Sequence, residues 1–341
     1  MRYHFLRMRA FPPFPVLALA LAAALAAAEP VPVIFDTDMG NDIDDALALA
    51  VLHALESRAE CRLIAVTVTK DNRWAAPYVS LVNAFYGRPD IPVGVVRGGR
   101  TPEDSPMVRV PCQRTRPDGS RLYPRGIEDG TRAPEAVEVL RKALAAEKDG
   151  SVVVVQVGFS TNLARLLDAK PDGTSPLDGA GLVKRKVRLL SVMAGRFPPD
   201  KPEYNVQVDI PAARRVFGQW PGEIVASGWE VGAAILYPAR SIENDFRYVE
   251  NHPVADAYRA YKRMPYDRPT WDLTAALYAV RPDRGYFSLS QRGRIRVDDE
   301  GRTRFEPVPG GPHRHLIVDR TQRARTLAAL ETLASQPPRM R

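Results

Sequence analysis

Six runs of apolar, largely β-branched residues punctuate the chain and alternate with segments of helical periodicity. Residues 31–36, 62–68, 91–96, 151–157, 187–193 and 222–226 read as strands. Val152-Val153-Val154-Val155 and the run from Val187 to Val192 show little polar alternation, as expected of parallel strands covered on both faces. Between the strands, 43–57 and 133–147 read as helices, the latter plainly amphipathic. This alternation predicts an α/β fold: a single domain with a mostly parallel central sheet flanked by helices. Such sheets bind ligands at the carboxyl ends of their strands. Two segments depart from the pattern. Residues 97–130 are rich in Pro, Gly and Arg without clear periodicity, which marks a functional or mobile loop. Residues 283–318 read as a β-ribbon with turns at Gly293 and Gly301, followed by a final helix over 319–335.

The amino terminus stands apart. Arg2, Arg7 and Arg9 precede an apolar run from Val16 to Ala27, and Ala26-Ala27-Ala28 offers small residues for cleavage before Glu29. That is the layout of a secretory signal peptide over 1–28, too short in its apolar part for a spanning helix. The expectation is an exported protein, periplasmic or secreted, with no stable membrane anchor after cleavage and a catalytic domain over 29–341. The formal charge of +8 includes three leader arginines, so the remainder carries about +5. Its basic residues are scattered without interleaved aromatics, which argues for a solvated surface rather than a nucleic-acid footprint. Cys61 and Cys112 are the only cysteines; they could pair in an oxidising compartment, and no zinc spacing is present.

The chemistry concentrates where the first strand meets the first helix. Asp36, Asp38, Asp42, Asp44 and Asp45 fall within ten residues. Like charges crowded at one strand end need a cation to offset them. A set of hard oxygen donors suits Ca²⁺ or Mg²⁺ rather than zinc or copper. Asp44 and Asp45 alone could be first-turn acids favouring a helix dipole, but that leaves Asp36, Asp38 and Asp42 unexplained.

The run Asp36-Thr37-Asp38-Met39-Gly40-Asn41-Asp42-Ile43-Asp44-Asp45 resembles the amino-terminal aspartate signature of the inosine/uridine-preferring nucleoside hydrolases, calcium-dependent N-ribohydrolases of α/β fold. It is two residues longer than the usual Asp-x-Asp-Pro-Gly-x-Asp-Asp, which leaves Asp42 as an extra carboxylate. Further elements match in order: Asn72 after the second strand, Val157 at a strand-to-helix turn, Met193-Ala194-Gly195, Glu203-Tyr204-Asn205, and Trp271-Asp272 where many members carry His-Asp. The resemblance implies a Ca²⁺ held by Asp38, Asp45, Asp272 and the Val157 carbonyl. It implies Asp38 as the base that deprotonates water, and Asp44, Asn72, Glu203 and Asn205 as sugar-binding groups. Asp36 and Asp42 would support these from behind. The implied reaction is hydrolysis of the N-glycosidic bond of a ribonucleoside or related N-riboside, a step in purine or pyrimidine nucleoside catabolism.

Trp271 cannot deliver a proton as a histidine would, so the leaving base needs another device. Either Trp271 stacks on it, or His252, before a helix, supplies the acid; His53, in the first helix, reads as structural. Two other functions compete. A periplasmic nucleoside- or sugar-binding protein would keep fold and metal without turnover. A phosphohydrolase of the haloacid dehalogenase type would use Asp36 and Asp38 as nucleophile and acid, but leaves Asp44-Asp45 without a role. The partner in the leading reading is a small-molecule nucleoside or riboside, and the sequence leaves open whether the chain forms a homo-oligomer.

Overall fold

The computed structural model describes residues 29–339; the expected signal peptide lies outside them. Five strands follow the predicted ones closely: β1 (Val31–Thr37), β2 (Cys61–Lys70), β4 (Val152–Gln156), β5 (Val187–Met193) and β6 (Ile224–Ser227). β3 (Val93–Arg100) runs four residues past its predicted end, into the supposed loop. Across the sheet these six lie in the order β3-β2-β1-β4-β5-β6, all parallel. The order reverses direction between β1 and β4. At that reversal the crossovers leave the sheet on opposite faces and open a crevice beyond the strand ends. The carboxyl end of β1 is Asp36-Thr37-Asp38, and that of β4 leads into Val157. Topology alone therefore delivers the aspartate run to the ligand-binding edge.

Successive side chains of a strand face opposite sides of the sheet, and the core divides accordingly. Val33, Phe35, Val153 and Val155 belong to one apolar cluster, whereas Ile34, Val152 and Val154 belong to the other. The first cluster surrounds α1 (Asp44–Ser57), in which every residue from Asp44 to Leu55 is buried. An apolar helix of this kind has no solvent face to present. It is enclosed by β2 and the helices Trp271–Val280 and Arg320–Ala334.

The carboxy-terminal ribbon is not a separate appendage. Its strand His313–Ile317 pairs in parallel with β6, and Gly293–Val297 and Thr303–Pro307 follow antiparallel, so the ribbon extends the main sheet to ten strands among the described residues. Gly293 opens a strand rather than turning, while Gly301 (φ 81°) does make the expected turn. The 97–130 segment also has more structure than its composition suggested. It forms the helix Pro106–Gln113 and is pinned to Asp256 by Arg114 and Tyr123. Cys61 and Cys112 are both buried and unpaired. No helix among the described residues is long and apolar enough to cross a membrane.

His53 sits inside α1, its Nε2 2.9 Å from Asn83 Oδ1 and its ring stacked on Tyr86. Burial pushes its pKa down to about 4, against about 6.5 in an unfolded chain. The unfolded state therefore takes up this proton first. The stability gained by keeping the ring neutral is complete above about pH 6.5 and is lost as pH falls toward 4. The advantage in Tm of the parent over His53→Gln should accordingly shrink between pH 7.5 and pH 5; a gap of constant size across that range would remove His53 from the acid response.

Candidate active site

The loop between β1 and α1 is shaped by its glycine and its apolar anchors. Gly40 adopts φ 114°, and Asn41 N donates to the Asp38 carbonyl to close the turn. Met39 and Ile43, both fully buried, fix the loop to the core. α1 then starts without a side-chain cap, and its first turn carries Asp44 and Asp45. The helix Trp271–Val280 starts alongside and carries Asp272 in its own first turn. Two helix amino termini, each a partial positive charge, thus converge on three carboxylates. The backbone N–H of Asp272 donates to Asp44 Oδ2 at 3.1 Å, and the Thr37 hydroxyl donates to Asp45 Oδ1.

Asp44, Asp45 and Asp272 present carboxylate oxygens within 4.8 Å of one another, the one metal-ligating group of this kind among the described residues. All three are buried. Burial first, and the neighbouring aspartates second, push each well above the ordinary carboxylate range. Asp45 Oδ2 has no hydrogen-bond partner although it is out of reach of solvent. A buried, unpartnered carboxylate oxygen among like charges fits a hard dication, which would supply both the missing ligand contact and the missing charge.

Around this group lies a cavity of about 390 Å³, lined by Asp38, Asn41, Asp42, Asp44, Asp45, Val157, Met193, Glu203, Tyr204, Asn205, Trp229, Arg268, Trp271 and Asp272. Asp38 forms part of its wall. Its Oδ2 accepts from Asn41 Nδ2 at 2.8 Å, and burial raises its pKa to about 6. Asn41 is held in turn by Lys70, whose Nζ donates to Asn41 Oδ1 at 2.9 Å. Asn205 spends its amide hydrogens on the carbonyls of Val157 (2.7 Å) and Met193 (3.1 Å). Both Glu203 oxygens accept backbone N–H groups, from Gly195, Asn205 and Val206. Burial dominates over these bonds and raises its pKa to about 7. The two indoles of Trp229 and Trp271 stand 6.1 Å apart on the wall, Trp271 Nε1 donating to the Trp229 carbonyl. A groove of about 480 Å³ at the opposite ends of β2 and β3, between Arg62, Ile91 and Lys142, is larger but converges no comparable set of groups.

Two expected residues stand elsewhere. Asn72 does not reach the cavity; its amide is turned to the Pro102 and Glu103 carbonyls, so the 97–130 segment captures it. His252 is a correction to the leaving-group assignment. It is 2% exposed among Phe85, Phe246 and Tyr248, caps the helix Pro253–Tyr261 through Nδ1, and has its pKa driven to about 3 by burial. A ring that stays neutral and lies outside the cavity cannot protonate a leaving group there. Asp36 lies fully buried beneath the site, held by Thr67 (2.6 Å) and Asn162 (2.9 Å). Asp42 is paired with Arg268. Sequence reasoning missed Asn41, Trp229 and Arg268. Trp229 had a usable signal, since it follows the carboxyl end of β6; Arg268 had none, because only the fold brings it to Asp42.

The chain from 33 to 338 matches the family model described as inosine-uridine preferring nucleoside hydrolase. Among solved structures it is similar to a plant nucleoside hydrolase, at 24% identity and TM-score 0.62, over 90% of this chain and 100% of that one. An inosine-uridine preferring nucleoside hydrolase from Bacillus anthracis gives 17% identity and TM-score 0.65, over 89% and 99%. A purine-preferring ribonucleoside hydrolase from Gardnerella vaginalis gives 18% and 0.63, again over 89% and 99%. At these identities the structural likeness is one of fold. No curated protein matches the sequence.

Close packing under the aspartate loop yields a test of this geometry. A Cβ on Gly158 would lie 2.4 Å from both Asp38 N and Thr69 Oγ1. Gly158→Ala must therefore displace the end of β1. It should lower stability by about 1–3 kcal/mol and cut catalytic turnover, whereas His252→Gln should lower Tm while leaving turnover close to the parent. Measured together, an active Gly158→Ala or an inactive but folded His252→Gln would contradict the placement of the site.

Proposed function

This chain belongs to the inosine-uridine preferring nucleoside hydrolase family of glycosidase-type enzymes, and from that premise we propose that it hydrolyses ribonucleosides or related N-ribosides in a Ca²⁺-dependent reaction. The observation that carries the proposal is the group of Asp44, Asp45 and Asp272, gathered at two helix amino termini on the wall of a cavity that also holds two indoles. Asp45 and Asp272 are common to this group and to the ligand set that the resemblance implies, which supports reading them as cation ligands, while the group holds Asp44 where the resemblance names Asp38. Asp38 and the Val157 carbonyl, on the same wall, complete the set that the resemblance implies. When bound, such a cation acidifies water and binds vicinal hydroxyls.

The protein's own groups do the rest. Cleavage of the C1′–N bond builds positive charge on the ribosyl ring, which anionic walls stabilise because they are already in place and sparingly solvated. Asp38, with one oxygen fixed by Asn41, is suited to take the proton of the attacking water. Asp44, Glu203 and Asn205 Oδ1 offer acceptors to sugar hydroxyls, the Asn205 amide hydrogens being held by the Val157 and Met193 carbonyls. Trp271, with Trp229 beside it, offers a face on which an aromatic base can stack. The phosphohydrolase alternative fares poorly: its nucleophile would be Asp36, whose carboxylate is buried under the site. Export to the periplasm or medium remains part of the proposal on the strength of the leader sequence.

The deciding experiment is a nucleoside panel assayed for released reducing sugar with added Ca²⁺, before and after chelation. Release that stops on chelation and resumes on adding Ca²⁺ supports the reading; saturable nucleoside binding with no release would leave a binding protein instead. In the same preparation, Asp45→Ala and Asp272→Ala should each abolish Ca²⁺ binding by calorimetry. Asp38→Asn should still bind substrate while turnover drops by roughly 10²-fold or more.

A further inference from the structure

The departing base meets no histidine at the place where the resemblance implies one, because Trp271 stands there. No histidine lines the cavity among the described residues. Glu203, which accepts backbone N–H groups on both oxygens, is assigned to the sugar in the reading above, and Asp42 is engaged by Arg268. What the wall does hold is one cation, Arg268, alone of its kind among the described lining residues.

Its position is fixed from several directions. The short strand Arg268–Pro269 pairs with Leu236–Tyr237, and Thr270 is tied to the Ile235 carbonyl through both its N–H and its hydroxyl. Nε donates to Asp42 Oδ1 at 2.8 Å and Nη2 donates to Asp42 Oδ2, the two-pronged geometry that orients a planar guanidinium. The guanidinium carbon stands 5.2 Å from the ring centroid of Trp271 and 5.3 Å from that of Tyr261. Burial opposes its charge, but the hydrogen bonds and charge of Asp42 hold its pKa above the ordinary arginine value, so it stays cationic. Nη1 is left without a protein acceptor among the described residues, on a guanidinium whose carbon lies near the indole assigned to the base.

We propose that Arg268 is the catalytic residue of the leaving group, its Nη1 donating hydrogen bonds to the base as the bonding pair collects there. The assignment rests on the N-riboside hydrolase reading above. As the C1′–N bond breaks, its electron pair passes to the base nitrogen and spreads over the ring. The water oxygen forms the new bond to C1′ and gives its proton to Asp38. The base departs as an anion held by the guanidinium and takes its proton from solvent, and Asp38 returns its own to solvent. Guanidinium N–H groups are suited to such acceptors, as arginine's contacts with the N7 and O6 atoms of guanine illustrate, and here the one free nitrogen, Nη1, would make the contact. Asp42, the extra carboxylate of the longer aspartate loop, then has a role: it aims the guanidinium.

The test compares inosine with a nitrophenyl riboside, whose leaving group is stable as an anion unaided. Parent, Arg268→Lys, Arg268→Gln and the double variant Asp42→Asn/Arg268→Gln are assayed with Ca²⁺. The double variant leaves no unpaired charge and keeps the comparison open should Arg268→Gln fold poorly. Turnover of inosine should fall by about 10²-fold or more in both Gln variants, the range for removing one donor aimed at developing negative charge. Turnover of the nitrophenyl riboside should fall by less than about tenfold, and Arg268→Lys should recover part of the loss on inosine. Equal losses on both substrates, or none on inosine, would overturn the assignment and leave Arg268 a packing residue. A parent that releases sugar from neither substrate would instead sink the hydrolase reading itself.

Discussion

Everything at this site depends on carboxylates buried closer together than their charges tolerate. Three ionised groups within 4.8 Å repel by about 3–4 kcal/mol per pair at an effective dielectric of ~20. Summed over three pairs, that rivals the net stability of a whole domain, about 5–15 kcal/mol. Two helix amino termini and the Thr37 hydroxyl offset part of it, but helix-end effects contribute only about 0.3–2 kcal/mol each. The remainder has to come from bound protons or from a bound cation. The local elements follow from that requirement. α1 and the helix Trp271–Val280 begin where they do because their first turns face the same charge, and the sheet reverses order where their amino termini can meet.

Much of this was legible in the chain. Apolar runs such as Val152–Val155 located the buried parallel strands, because a strand covered on both faces has no need of polar positions. The aspartate run and Asp272 were readable because the chemistry of hard-cation binding restricts residue type. Other features depend on tertiary proximity that periodicity does not encode. The ribbon strand His313–Ile317 joins β6 as a sheet neighbour although nearly ninety residues separate them in sequence. Asn72 sits at the expected strand end, yet the neighbouring loop carbonyls of Pro102 and Glu103 capture its amide. His252 looked available in a Pro-containing turn, and only the packing of four aromatic rings around it and its bond to Val254 revealed a buried helix cap.

The longer aspartate loop shows how an insertion is absorbed. Its additional polar residues do not stay exposed. Asn41 bridges Lys70 and Asp38, and Asp42 grips Arg268. Each new group is satisfied by a partner from a different part of the chain, so the loop is cross-linked to β2 on one side and to the approach of the helix Trp271–Val280 on the other. A loop fastened in this way can keep Asp38 in place without the proline that the usual signature carries directly after that residue's counterpart, where this chain has Met39.

The ribbon's docking on β6 also settles how the sheet terminates. On that side the last strand, Thr303–Pro307, alternates Arg304 and Glu306 outward and closes on a proline that has no N–H to give. On the far side, Val95 of β3 donates to the Pro134 carbonyl and bridges Glu135, so the segment before the helix Ala136–Ala146 lies along that margin. A charged, proline-ended margin and a covered one both resist the addition of a foreign strand. The main sheet thereby resists the easiest route to aggregation, growth of one sheet into the next.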